Sequence, residues 1–279
     1  MKILNKILHP YSLESFLAEN WAKQGIVIPG KHTDKFQHLF SWQHLNHLLN
    51  YHQPELRFVK NGQILPPCPP QEWSKLCREG ASLTIHHVHN HFPALADLTW
   101  EIQEELGHSA IHANVYCSWP SRQAFDIHYD AHEVLIMQIH GQKEWFVFKD
   151  TFKYPYRDEK SERHKPPEGE PYIHTVLKPG DLLYIPRGHW HYAIASEEPS
   201  LHVTLGIRCF TGQDVLEWLL DKVQKNLQKE ETWRQNLPLI PYGNTDDIES
   251  YTGHLFDSLI TVLNEEKKSL VHKFAMSQV

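Results

Sequence analysis

From residue 111 to 210 the chain reads almost wholly as short runs of branched and aromatic residues: IHANVYCSW, EVLIMQIH, EWFVF, YIHTVL, DLLYI and SLHVTLGI. Such residues fit the pleated, half-buried surface of a strand. Turn signals separate the runs, the clearest being His140-Gly141, Pro179-Gly180-Asp181 and Pro186-Arg187-Gly188. Helical patterns do not alternate with them, which argues against parallel βαβ units and for an antiparallel sandwich or barrel in a mainly β fold. One connection breaks the rhythm. Residues 150–172, DTFKYPYRDEKSERHKPPEGEPY, form a charged, proline-bearing loop between two core strands, and a loop of that length is commonly functional.

Helical periodicity flanks this block. Ser12 is placed to cap a helix over 12–23, in which Leu13, Phe16 and Leu17 fall at helical spacing. A second helix is expected within 34–50, with Phe36, Leu39, Phe40, Leu45, Leu48 and Leu49 on one face, and a third over 93–106. Residues 61–70, NGQILPPCPP, read as a turn and loop that proline keeps from being helical. After Gly212 the pattern is helical again, in QDVLEWLLDKVQKNL and over 246–272. Two regions are therefore expected: 1–212, a strand-rich domain with N-terminal helices, and 213–279, a helical region suited to forming a homodimer.

A net charge of −7 offers no positive field to a phosphate backbone, so direct nucleic-acid binding is not expected. The first ten residues hold no apolar run long enough for a signal peptide, and no run of about 18 apolar residues is present to cross a membrane. Cys68, Cys77, Cys117 and Cys209 are scattered without CxxC spacing, as expected of reduced thiols in a cytoplasmic protein.

Histidine is the unusual residue, with 22 copies against 3 methionines, so the question is which imidazoles converge. In FDIHYDAHEV, His128 and Asp130 are two apart, and on a strand such residues share a face. Further along, PGDLLYIPRGHWHYAIA brings His191 to the start of another strand, directly after a tight turn. Two imidazoles and a carboxylate on one side of a metal leave three positions open, the arrangement of non-haem iron(II) oxygenases. An HxD pair alone recurs by chance in so histidine-rich a chain; its specificity comes from the pairing with PGDLLYIPRGxxH inside an all-strand block. Two other clusters compete. His87, His89 and His91 in TIHHVHNH would alternate onto one strand face as a zinc or storage site, although no carboxylate or cysteine completes it. His128 and His132 have HxxxH spacing, which binds zinc on a helix, but the VLIMQI run that follows favours a strand.

The stretch NVYCSWPSRQAFDIHYDAHEVLIMQIHGQKEWFVF, with FLAENWAKQGIVIPG before it and LKPGDLLYIPRGHWHYA and SLHVTLGI after it, resembles JmjC-type ribosomal oxygenases and related bacterial cupin-like hydroxylases over residues 12–210. The resemblance implies a double-stranded β-helix (the JmjC and cupin jelly roll), an Fe(II) centre, 2-oxoglutarate and O2 as cosubstrates, and hydroxylation of a side chain in a protein or peptide substrate. It assigns the metal to His128, Asp130 and His191, with His189 left in the turn. Lys143 falls where the family carries a lysine or arginine for the distal carboxylate of 2-oxoglutarate, and would face the pocket if its strand ran back beside His128. Ser118 matches a hydroxyl position that helps hold the same carboxylate, and Asn114 and His202 match polar positions near the cosubstrate. Where the family has a glycine-rich turn before HxD, this chain has WPSRQAF at 119–125, a bulkier loop expected to narrow or redirect the substrate channel. Substrate identity is therefore not carried over by the resemblance. A non-redox cupin module holding Zn(II) or Mn(II) on the same triad is one alternative, disfavoured by Lys143; an oxygenase acting on a small molecule or a biosynthetic precursor peptide is another.

Overall fold

The computed structural model describes residues 2–107, 109–119, 125–238, 245–268 and 270–277. Its strands are β1 (Ile26–Ile28), β2 (Leu56–Lys60), β3 (Gln63–Ile64), β4 (Ser82–Ile85), β5 (Ser109–Ser118), β6 (Glu133–His140), β7 (Lys143–Val147), β8 (Ile173–Leu177), β9 (Leu182–Ile185), β10 (His191–Ala195) and β11 (Ser200–Cys209). Eight of them form one sheet in the order β1-β9-β6-β11-β5-β4-β2-β3, and three form a second, β10-β7-β8. Every pairing is antiparallel, as the absence of alternating helices requires.

The large sheet is covered on both faces, and the period of two assigns each side chain to one of them. On β6, Leu135, Met137 and Ile139 join the main core with β5 residues Ala113, Val115 and Cys117, β11 residues Leu201, Val203 and Leu205, and the helical residues Leu95, Leu98 and Ile102. The other β6 residues, Val134 and Ile136, pack with Leu183 and Ile185 against Trp145, Val147 and Leu177 of the small sheet. This explains why EVLIMQIH is apolar without alternation: β6 has no solvent face. The face of β5 and β11 turned toward the small sheet carries the polar members of the alternation, Asn114, Tyr116, Ser118, His202 and Thr204, of which Tyr116, His202 and Thr204 line the functional site.

The helix over Pro93–Leu106 has the expected bounds. The helix expected within 34–50 is confined to Trp42–Tyr51, because Ser41 Oγ accepts the His44 N–H at 3.2 Å and starts it there; Phe36, Leu39 and Phe40 are buried from turns instead. Over 12–23 the helix is Leu13–Ser15, capped by Ser12 as expected, and it widens into a π-turn over Phe16–Asn20 that leaves Leu17 exposed. Within 61–70 the turn is real but also carries β3, and an unanticipated helix follows over Pro70–Arg78, with proline at its tolerated first position.

The chain divides into two compact units, Met1–Cys209 and Phe210–Val279. In the second, Val223, Leu227 and Val262 form a small core between the helices Gly212–Leu227 and Thr245–Lys267. Among the described residues, no helix is long and apolar enough to cross a membrane. Residues 120–124 of the loop before His128 lie outside the described residues.

Candidate metal and cosubstrate site

The segment bearing His128 and Asp130 is not the strand its spacing suggests. It is irregular, because its backbone groups are taken by the turn before β10: the Gly188 N–H donates to Asp130 O at 2.9 Å. A single bridge replaces the strand. His191 N–H donates to His128 O at 2.7 Å and His128 N–H to His191 O at 3.1 Å, so the two histidines lie side by side. Their ring centroids are 4.5 Å apart, and His191 Nε2 is 3.5 Å from Asp130 Oδ2. One potential ligand atom from each of His128, Asp130 and His191 lies within 4.8 Å of the others.

Backbone carbonyls fix both rings. His128 Nδ1 donates to Asp126 O at 2.8 Å and His191 Nδ1 to His189 O at 3.1 Å. Since a carbonyl only accepts, the proton sits on Nδ1 and the free lone pair on Nε2, the tautomer a metal ligand requires. Burial, and then the charge of His128, pushes His191 down to about 4. Burial alone would raise the Asp130 carboxyl, but the charges of His132, His128 and His191 outweigh it and hold the group below its ordinary range. The donor set is thus two imidazole nitrogens and an anionic oxygen on one side of a common point, which fits a divalent iron with open positions.

A cavity of about 250 Å³ opens beside this triad. Lys143 lines it, 5% exposed, and Nζ donates to Ser118 Oγ at 2.9 Å; Ser82 Oγ in turn donates to Ser118 Oγ at 3.2 Å. Among the described residues no carboxylate lies within ion-pair distance of Lys143, and burial pushes its ammonium down to about 8. A buried charge with only a neutral partner is costly, so the site is electrostatically incomplete until an anion enters. His202 Nδ1 and Trp145 Nε1, from residues lining the same cavity, are likewise buried without a partner. Burial, and then the charge of Lys143, keeps His202 well below its ordinary value.

The strand carrying Lys143 does not run beside His128. It pairs with β10, Lys143 opposite Ala195 and Val147 opposite His191, which turns Lys143, Trp145 and Val147 inward together. The structure therefore gathers His128, Asp130, His191, Lys143 and His202 around one cavity, with Ser118 behind the lysine. Asn114 stands outside the lining: its Oδ1 accepts the His87 N–H at 3.1 Å, and its side chain hydrogen-bonds Tyr116, which stacks on His202 at 5.0 Å. Tyr116, Trp145 and Thr204 also line the cavity and were not singled out in the sequence, although each is two residues from one that was.

His189 is turned away, accepting from Tyr172 OH at Nδ1 (2.7 Å) with Nε2 3.8 Å from Asp150 Oδ1. The alternating arrangement of His87, His89 and His91 does not form. The strand ends at Ile85, His87 is left-handed (φ +52°), and Val88–Asn90 is a 3-10 turn. His89 Nδ1 accepts the Ala113 N–H, and His91 packs on His52.

An outer groove of about 750 Å³ lies between the His128–Asp130 segment and the 150–172 loop. Tyr129 packs edge-on against Trp190 at 5.1 Å beneath it. Trp190 Nε1 donates to Thr151 Oγ1 and Thr151 Oγ1 to Lys165 O, both at 2.9 Å, so the loop is tied to the residue before His191.

Two facing antiparallel sheets with this triad between them define a JmjC/cupin-type double-stranded β-helix. Residues 87–215 match the family described as JmjC domain. It is 31% identical over 255 residues to the Drosophila yakuba protein named bifunctional lysine-specific demethylase and histidyl-hydroxylase NO66, a match covering 85% of this chain and 37% of that protein. The NO66 protein of Drosophila persimilis is 29% identical over 260 residues, covering 87% of this chain and 37% of its own. The chain therefore spans little more than a third of these relatives' length. Among solved structures, the Escherichia coli ribosomal oxygenase YcfD in complex with cobalt and 2-oxoglutarate superposes with a TM-score of 0.68 at 21% identity, over 95% of this chain and 71% of that one, which shows the shared fold.

Proposed function

We propose that this chain is an Fe(II)- and 2-oxoglutarate-dependent dioxygenase that hydroxylates a side chain of a protein or peptide substrate. The observation that carries the reading is Lys143, a buried ammonium lacking an anionic partner among the described residues, in the same cavity as the His128–Asp130–His191 triad. His128 and His191 hold the metal through Nε2 and Asp130 through its carboxylate. Lys143, backed by Ser118, receives the distal carboxylate of 2-oxoglutarate; His202 offers a further polar contact, and Asn114 acts only through Tyr116. Bound iron, with 2-oxoglutarate and O2, supplies the oxidation: one oxygen atom goes into succinate as CO2 leaves, and the other into a substrate C–H bond. Val134, Ile136 and Trp145 wall the cavity with apolar surface and limit water around the reacting groups.

The substrate side chain enters by the outer groove, under the 150–172 loop. The names of the NO66 and YcfD relatives support a protein substrate. Exposed Leu216, Leu220, Phe256 and Ile260 support a homodimer formed through the second unit, and four unpaired cysteines suit the cytoplasm.

The test is anaerobic addition of 2-oxoglutarate to the iron-loaded protein. A visible metal-to-ligand charge-transfer band is expected, weakened in Lys143→Ala and absent in His128→Ala. Folded, iron-loaded protein that gives no band overturns the reading and leaves a metal-binding module. Succinate release over a peptide library, silent in His128→Ala, then addresses the substrate.

A further inference from the structure

His112 and His132, which the active centre leaves unused, meet over β11 at Gly206, beyond Thr204 along the face that also borders the triad. His112 lies on β5 opposite Gly206, and His132 immediately precedes β6, the other neighbour of β11. A Cβ on Gly206 would collide with the His112 ring and meet His132 Cε1 at 3.0 Å, so the missing side chain is what lets both rings lie over the strand. Their centroids are 5.1 Å apart, and His87 lies 5.9 Å from His112. Imidazoles bound through nitrogen about 2.0–2.1 Å from one tetrahedral metal have ring centres roughly 5 Å apart, so the His112–His132 spacing is that of a ligand pair. It is also close to the 4.5 Å of His128 and His191.

His132 has a nitrogen available to such a pair. His132 Nδ1 donates to Glu133 O at 3.2 Å, which leaves its Nε2 lone pair free. His89, the fourth histidine of the group, is excluded, because Nδ1 already accepts the Ala113 N–H and Nε2 carries the proton. The rings face a pocket of about 500 Å³.

We propose that His112 and His132, with His87 closing onto them, form a second transition-metal site that takes Zn(II) or Cu(II). Imidazole donors without a carboxylate select these metals over magnesium, calcium or manganese. The group is looser than the active-centre triad, and His87 supplies the adjustment: it is exposed and precedes a short turn, so its ring swings inward without moving a strand. Arg157 and Arg208 also line the pocket. Their charge opposes a bare cation and favours a metal carrying an anion, such as chloride or hydroxide, in its open position.

Equilibrium dialysis of the full chain against Zn(II), followed by metal analysis, decides the matter. Wild type is expected to hold two equivalents, and His128→Ala and His112→Asn one each, from opposite sites. The equivalent retained by His112→Asn also reports that the variant is folded, and His132→Gln provides a second test. Addition of Cu(II) to His128→Ala should give a nitrogen-coordinated electron paramagnetic resonance signal that is lost in His128→Ala/His112→Asn. A single wild-type equivalent that disappears in His128→Ala overturns this site and leaves the triad standing. A single equivalent that survives in His128→Ala but not in His112→Asn overturns the triad instead.

Discussion

His128 and His191 are joined backbone to backbone by two hydrogen bonds of 3.1 and 2.7 Å, so their imidazoles are adjacent before any metal arrives. The pairing uses main-chain atoms only. Replacing either side chain therefore removes a donor without removing the bridge that sets the geometry. His128→Ala is expected to keep its fold and lose iron affinity by more than the roughly 10–100-fold typical of losing an outer-shell partner. Metal analysis after dialysis, alongside circular dichroism, checks both halves; unchanged iron content contradicts the triad.

Lys143 ties cosubstrate affinity to pH. Burial holds its ammonium down to about 8, and a carboxylate bound against it raises that value again. The protonated form binds the anion, so affinity for 2-oxoglutarate should be flat below pH 8 and fall about tenfold per unit above it. Calorimetry on Mn(II)-loaded protein at pH 7 and 9 reads this, and Lys143→Arg, which stays charged, should abolish the dependence. Lys143→Ala removes a charge-assisted hydrogen bond of about 1.5–3 kcal/mol and should weaken binding at pH 7 by about 10–100-fold.

Much of this site was legible because its parts are local. The HxD spacing and the turn before His191 each need only a few residues of context, whereas Ser118 and His202 came from the family resemblance. What was hidden is long-range. Lys143 faces the cavity because β7 pairs with β10, and nothing in HGQKEWFVF specifies that neighbour over His128. His128 and Asp130 converge with His191 through an isolated bridge, not through the strand on which their spacing was read. His112 meets His132 only because β11 places Gly206 between their strands. The helix over Pro70–Arg78 was masked by the prolines before it, which mark its start.

The 150–172 loop is held at one end by the hydrogen bond from Trp190 Nε1 to Thr151 Oγ1, at 2.9 Å. Trp190→Phe keeps an aromatic ring against Tyr129 but deletes the donor, a loss of about 0.5–1.5 kcal/mol. The expected outcome is faster proteolytic cutting within the loop and a raised KM for a peptide substrate, with iron and 2-oxoglutarate binding unchanged. Equal loss of metal affinity would show that Trp190 supports His191 instead of the loop.

Gly141 makes the turn that carries the chain from β6 into β7 and so delivers Lys143. Its φ is +63°, a left-handed conformation that costs other residues about 1–3 kcal/mol. A Cβ there would also collide with Pro199 O, a backbone atom that has no rotamer to escape into. Gly141→Ala should therefore cost at least the upper part of that range, read as a lowered denaturation midpoint. Since the same turn fixes the start of β7, the residual folded protein should also bind 2-oxoglutarate more weakly while retaining iron at the triad. Wild-type stability in Gly141→Ala would mean that the β6–β7 turn is free to rearrange, and Lys143 would then owe its position to the β7–β10 pairing alone.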